Sequence, residues 1–506
     1  MDDGLATPAE DAARFSALQA RLATQFQTIF PVQRAARTIV VLPSLTLDAE
    51  VLTKIDGAIH YEQRLLCMLL LLRYPAARVV YVTSEPISPA IIDYYLQLLP
   101  GIPRDHARRR LTLLSCHDPS PRALVEKVLE RPRLIARLKA AMGDPDQAHL
   151  TCFNVSTAER TLALRLDVPI YGCDPDLLPL GSKSGSRKLF RDAGMTLPDG
   201  FEDLRDGQDV AGALAALKAR DPDLRRAVVK LDEGFSGEGN AVFHYGAASA
   251  PEAILATLPD MDFVARDLDW ARFEEKFVEM GGIVEAFIEG ENKRSPSAQY
   301  RIDPSGRLEA ISTHDQVTGG VSGQVFEGCR FPADPAYRRE IQAEGMKAAE
   351  ALRQHGVLGR FGVDFISVPD MEEGGNGWRH YAVEINLRKG GTTHPYMMLE
   401  FLSDGAYDAD SGTYRAPSGQ PLFYYASDNL CAPQYRGLTP PDLIDIVVDN
   451  GLHFHTSTQE GVVFHLIGAL SEFGKLGLVC VAASPERAEE LYHQTVEVLD
   501  REGAAG

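Results

Sequence analysis

RFGVDFISV at residues 360–368 and HYAVEINLR at 380–388 are strand-like runs separated by PDMEEGGNGWR, whose Gly374-Gly375 pair favours a chain reversal. They predict an antiparallel hairpin. If pairing is symmetric about Gly374, Asp364 lies opposite Glu384, and the two carboxylates leave one face as cross-strand neighbours. Side chains alternate along a strand, so Asn386 and Arg388 share that face with Glu384. Two carboxylates about 4 Å apart repel by about 4 kcal/mol at an effective dielectric of 20, which calls for a cation. Asp, Glu and Asn are the oxygen ligands that Mg²⁺ prefers when nucleotide phosphates complete its shell. Asp364, Glu384 and Asn386 are therefore candidate metal ligands, with a solvated polar face on an edge hairpin as the alternative.

Working upstream, Lys230 ends the strand-like AVVK, and LDEGFSGEGN (231–240) then carries Gly234, Ser236, Gly237 and Gly239 into a second strand-like run, AVFHY. Strand, flexible loop, strand is the expected order. Walker A is absent, and β-rich text after the loop excludes a dinucleotide turn. Backbone N–H groups of such a loop suit a lid over phosphates, with the Lys230 ammonium offsetting their charge. A structural hairpin with a salt-bridged lysine fits the same text. Lys183 sits in GSKSGSRKLFRDAGMTLP, a basic helix start before a glycine stop. GGIVEAFIEGEN (281–292) reads as a strand bearing Glu285, then Ala286, Phe287 and Ile288, then further acids. Adenine needs an apolar slot and ribose an acceptor, so this order suits a nucleotide hinge as well as it suits a plain edge strand.

The flanks set the fold class. From Arg37 to about Cys173, TIVVLP, ARVVYVTSE, LTLLSC and HLTCFNV alternate with helical patterns such as IHYEQRLLCMLLLLRYP, which predicts a parallel sheet covered by helices. The turn after the first strand, PSLTLD, has no glycine to admit a pyrophosphate, so the layering is Rossmann-like without the dinucleotide fingerprint. Pro-rich text near residue 178 marks one boundary, and a Gly/Asp/Ser/Tyr-rich stretch at 404–418 marks another. The tail reads as a small α+β unit.

Composition excludes several function classes. The net charge is -20 and no basic run is interleaved with aromatics, so nucleic acid is not an expected partner. The longest apolar run, Leu65 to Leu72, is far below the roughly 18 residues of a spanning helix. The acidic N-terminus carries no secretory pattern, and the seven cysteines form no CxxC pair, which together predict a cytoplasmic protein with reduced thiols.

Lys183, Lys230 with its glycine loop, VEAFIEGEN, VDF and EINLRKGGTTHP occur in the order found in the ATP-grasp superfamily, and EINLR resembles that superfamily's ExNxR pattern. The resemblance implies ATP and Mg²⁺, with Mn²⁺ able to substitute. It implies metal roles for Asp364, Glu384 and Asn386, and a catalytic, anion-stabilising role for Arg388. Lys183 and Lys230 would contact phosphates, Glu285, Ala286, Phe287 and Ile288 would face adenine, and Glu291 or Asn292 would approach ribose. The wider text, with YVTSEPISP, LLSCHD, SPSAQYRI, STHDQVTGGVSGQ and GRFGVDF, is similar to the pheganomycin-type peptide ligases over most of the chain.

That family implies a Rossmann-like pre-ATP-grasp α/β domain (1–178), an ATP-grasp catalytic region (179–403) and a small α+β C-terminal domain (404–506). It also implies carboxylate–amine ligation through an acyl phosphate, with release of ADP and phosphate. The partners would be a small carboxylate and an amino acid or peptide amine, and a homodimer is a further expectation. Another ATP-grasp phosphoryl or carboxyl transfer, or a nucleotide sensor without turnover, are the competing readings. His314, beside Asp315, is a candidate to bind substrate or take the amine proton. Arg301 is a candidate to pair with a substrate carboxylate, against an internal salt bridge. His394 reads as a turn residue before Pro395.

Overall fold

The computed structural model describes residues 8–47, 49–234, 239–246, 249–265, 268–319, 325–370 and 377–505. Ser236, Gly237 and the Gly374-Gly375 reversal lie outside the described residues. Near the N-terminus the four expected strands pair in parallel in the order Leu111–Ser115, Ala77–Thr83, Arg37–Leu42, Ala148–Cys152. Every residue of Arg37–Leu42 is buried, as a parallel strand covered on both faces requires. The apolar run that follows is helical, but Ala58–Arg73 winds as a 16-residue 3₁₀ helix. Such runs seldom exceed one turn, because i and i+3 side chains eclipse. Burial of Leu65, Leu66, Leu69, Leu70 and Leu72 in the core accompanies it here.

Beyond residue 178 the pairing turns antiparallel. A five-stranded sheet runs Gly200–Leu204, Gly282–Ala286, Arg226–Leu231, Asn240–His244, Asp262–Phe263. It has its own core, formed with helices Gly207–Arg220 and Trp270–Met280 through Leu214, Val229, Phe243 and Phe273. An eight-stranded sheet runs Gly377–Asn386, Gly359–Asp370, Pro296–Ile302, Leu308–Gly319, Val325–Phe331, Phe423–Cys431, Lys475–Ala482, Gly461–His465. On this sheet alternation decides the two faces. Ala298, Tyr300, Phe361, Val363 and Phe365 enter a core with Ile341, Ala348 and Leu352 of helix Arg338–Gln354. Ser297, Gln299, Asp364 and Ile366 face a cleft instead.

Within the tail, Ala406–Asp408 and Thr413–Arg415 pair as a small two-stranded sheet, but its longer strands do not stand apart. These extend the eight-stranded sheet, and Phe464, Leu478 and Val479 share one core with Val40, Val80 and Leu150 of the parallel sheet. The line drawn at 403/404 therefore cuts through hydrogen-bonded structure. Chain order and packing order differ because the tail buries its apolar face against the N-terminal layer. Among the described residues no helix is long and apolar enough to cross a membrane.

Candidate active site

The hairpin predicted from residues 360–388 is present, and Asp364 pairs with Glu384. Its register is not uniform, however. Gly362 faces Asn386 and Asp364 faces Glu384, but Phe365 faces Ala382, so a bulge leaves Val383 as an extra residue. A bulge re-aims side chains locally, and both Val383 and Glu384 line the cleft.

The carboxylates are tied to neighbours. Ser297 Oγ donates to Asp364 Oδ1 at 2.5 Å and Asn386 Nδ2 donates to Asp364 Oδ2 at 2.9 Å. Glu384 is ion-paired with Lys183, which begins helix Lys183–Asp192. Ser182 caps that helix by accepting from the Gly185 N–H at 3.0 Å. The Ser184 N–H donates to Asp232 Oδ1 at 2.8 Å, which fastens the helix start to the glycine loop.

Burial, with the nearby Glu384 charge second, lifts the Asp364 carboxyl to about 6. Burial also pushes Glu384 upward, but the Lys183 ammonium and the Arg388 and Lys230 charges bring it below its ordinary value. Desolvation lowers Arg388, opposed by the charges of Glu384 and Asp364. One environment thus shifts the two acids in opposite directions. Among the described residues no group of three or more His, Cys, Asp or Glu is poised for a metal. Two carboxylates and an amide oxygen still suit Mg²⁺, which takes part of its shell from phosphates and water.

On the facing sheet Lys230 is ion-paired with Glu285, whose other oxygen receives Arg187 Nη1 at 3.1 Å. Glu285 reaches the cleft, with its two oxygens engaged by Lys230 and Arg187. The apolar slot is made by Val228, Ala286, Phe287, Ile288, Ile366 and Val383. Strand pairing ends at Ala286, and the segment after it runs along the slot. Arg226 and Lys293 lie 3.9 and 4.3 Å from the Phe287 ring centroid. Gly234 and Gly239 close the stem of the loop. A Cβ on Gly239 would stand 3.1 Å from Gly234 Cα, tighter than most side chains accept. Neither lines the cleft.

Four other expected residues lie elsewhere. Arg301 is ion-paired with Glu309 and stands opposite Arg360, four residues along its strand from the Ser297–Asp364 pair, or about 13 Å. The internal salt bridge is the correct reading. His314 is fully buried, 2.7 Å from the Tyr424 hydroxyl and near the Phe331 ring, and burial lowers its pKa to about 3. It cannot meet substrate, because its neighbour Asp315 faces the cleft and successive strand residues point oppositely. Glu291 and Asn292 are exposed and stand off the cleft lining, between Ile288 and Lys293, which are on it. His394 is in the first turn of helix Thr393–Ser403, buried with its Nε2 2.9 Å from His465 Nε2, and so is not a turn residue.

The cleft has a volume of about 1140 Å³ and lies where the two antiparallel sheets meet the N-terminal layer. Its far wall escaped sequence reading. Tyr61 and Arg64 of the 3₁₀ helix, Phe153, Phe326, Gly390–Gly391, Asp428 and Lys475 line it. No short motif links them. The one local signal is the i, i+3 spacing of Tyr61 and Arg64, which puts both on one face of a 3₁₀ helix.

The IQCH-like ATP-grasp family matches residues 178–250 and 263–410, and the PGM1 C-terminal domain family matches 442–495. The chain is 34% identical over 440 residues to L-propargylglycine–L-glutamate ligase of Streptantibioticus cattleyicolor, covering 85% of this chain and 87% of that protein. The chain belongs to the ATP-grasp superfamily. Within it, this is an ATP-dependent ligase that forms a carbon–nitrogen bond, similar to the pheganomycin-type peptide ligases. IQ motif-containing protein H of Danio rerio is 24% identical over 387 residues, covering 67% of this chain but 36% of that longer protein. Among solved structures, the biotin carboxylase domain of Hydrogenobacter thermophilus 2-oxoglutarate carboxylase, in complex with MgADP, ADP and bicarbonate, aligns with a TM-score of 0.55. Identity is 12%, covering 91% of this chain and 89% of that one, which is a likeness of fold.

Proposed function

We propose that this ATP-grasp ligase joins the carboxylate of one amino acid to the amine of a second amino acid or a peptide. A carboxylate oxygen attacks the γ-phosphorus of ATP, ADP leaves, and an acyl phosphate forms. The amine nitrogen then attacks the acyl carbon, the C–O bond to phosphate breaks, and the nitrogen gives up a proton. The observation that carries this reading is a cleft lined by Lys230, Glu285, Asp364, Glu384, Asn386 and Arg388, in which Lys230 is paired with Glu285 and Glu384 is paired with Lys183 behind it.

In this reading Ala286, Phe287 and Ile288 hold adenine against Ile366 and Val383. Lys183 and Lys230 exchange their glutamate partners for phosphate oxygens, which are acceptors of higher charge. Asp364, Glu384 and Asn386 hold Mg²⁺, which screens the triphosphate and polarises its γ-phosphoryl group when bound. Arg388 stands beside the carboxylates, where charge develops on the acyl oxygens, and stabilises it. Such chemistry asks for no protein nucleophile.

The relative in Streptantibioticus cattleyicolor is named for ligation of L-propargylglycine with L-glutamate, which supports amino acid substrates here. The test is to incubate the protein with ATP, Mg²⁺ and pooled amino acids, small acids and peptides, and to measure ADP and new masses. Amine-dependent ADP release with a product lighter by one water is expected. A phosphorylated product formed without an amine would sink the ligation step.

A further inference from the structure

The far wall of the cleft holds a cation that the nucleotide chemistry does not use. Arg64 lies on the 3₁₀ helix Ala58–Arg73, and its side chain is only 8% exposed. One edge of the guanidinium is engaged, since Nη2 donates to Asp428 Oδ2 at 2.6 Å, and its Cζ lies 4.0 Å from the Tyr61 ring centroid. The Nε is buried and has no hydrogen-bond partner among the described residues. A buried donor without a partner is rare in folded proteins, and in a substrate cleft it points to a ligand acceptor. Lys475 adds a second positive charge, donating to the Tyr61 hydroxyl at 2.7 Å, while Asp428 is the acid paired directly with Arg64. Gly390, Gly391 and Thr392 complete this end, leading into helix Thr393–Ser403, whose N-terminus also favours an anion.

The position is as informative as the charge. Arg64 and Arg388 line the same cleft, so this end of it adjoins the reacting centre. Two carboxylates enter a ligation of amino acids. The activated one loses its charge on becoming an acyl phosphate, and Arg388 with the metal attends it. The other stays ionised throughout, and a planar guanidinium that is always charged suits it.

We infer that Arg64 binds the carboxylate of the amine-bearing substrate, the one that is not activated, and so sets the enzyme's preference for amino acid or peptide acceptors over simple amines. This rests on the ligation reading above. The experiment supplies ATP, Mg²⁺ and pooled L-amino acids and dipeptides to the wild type and to Arg64→Gln. One arm contains hydroxylamine, an amine without a carboxylate that traps the acyl phosphate as a hydroxamate, and the other does not.

In Arg64→Gln the ratio of amide to hydroxamate should fall about 10- to 100-fold, the worth of one hydrogen bond to a charged group. The double variant Arg64→Gln/Asp428→Asn, which leaves no buried carboxylate without its cation, should show the same fall. An unchanged ratio in both variants overturns the inference, whether both products decline together or neither does. It is also overturned if the wild type makes hydroxamates but no amide with any carboxylate-bearing amine. A wild type that makes neither product refutes the ligase reading itself.

Discussion

The two walls of the cleft are built differently. The near wall comes from one hairpin, Gly359–Asp370 with Gly377–Asn386, whose residues are local in sequence and ordered by strand alternation. The far wall gathers Tyr61, Arg64, Phe153, Asp428 and Lys475 from segments that are hundreds of residues apart. The near wall carries the chemistry shared by a superfamily, while the far wall is placed to decide which molecule meets it. Local pairing suffices to bring Asp364, Glu384 and Asn386 together. A substrate end assembled by tertiary packing can be changed one segment at a time without disturbing them.

Breaking the near wall should cost most. Glu384→Gln removes a candidate metal ligand and the partner of Lys183, and turnover should fall at least about 10²–10³-fold, the scale for losing one electrostatic group in such a site. Far-UV circular dichroism should remain that of the wild type. Activity within a few-fold of wild type would remove the metal assignment. Phe287→Ala thins the apolar slot, so KM for ATP should rise about tenfold while kcat changes less than about threefold, the pattern of lost uniform binding.

The helix that supplies Tyr61 and Arg64 also carries a pH-sensitive group, which lines a separate pocket. Glu62, next to Tyr61 on the 3₁₀ helix, accepts from both the N–H and the hydroxyl of Ser84, yet burial lifts it to about 7. A carboxyl raised on folding contributes stability that is fully present below its unfolded pKa of 4.5 and is lost as pH rises through about 7. Relative to Glu62→Gln, the wild type should therefore lose stability between pH 4.5 and 7, by about 3 kcal/mol, in urea titrations. A flat difference across that range would show Glu62 ionised throughout. The smallest effect belongs to a residue on neither wall. Arg301→Gln should leave kcat/KM within about twofold and cost about 1 kcal/mol or less, because the Arg301–Glu309 pair is partly exposed. A loss of more than tenfold would restore Arg301 to the substrate site.

Sequence reading reached the Asp364–Glu384 pairing although its assumption of even register was too simple: the pairs from Phe365–Ala382 to Asp370–Gly377 are offset by one residue, and the bulge at Val383 restores the expected register at Asp364–Glu384. It also reached the parallel sheet and the strands on either side of the glycine loop. It misassigned His314 and Arg301 from residue type alone, since one position along a strand, or four, decides between core, edge and cleft. Val383 and Ile366 were missed for the opposite reason. Apolar residues on a hairpin read as core until the facing sheet is in place.

What the sequence by itself determined is the set of elements whose cause is local: alternation in strands, glycine at reversals and the loop stem, a serine cap at the start of the Lys183 helix. Only the tertiary structure decided that the tail completes the central sheet and shares a core with the N-terminal layer, and that a 3₁₀ helix from residue 58 carries Arg64 into a cleft opposite Arg388. Those outcomes depend on which apolar faces bury one another across long separations, and no short window of sequence contains both partners.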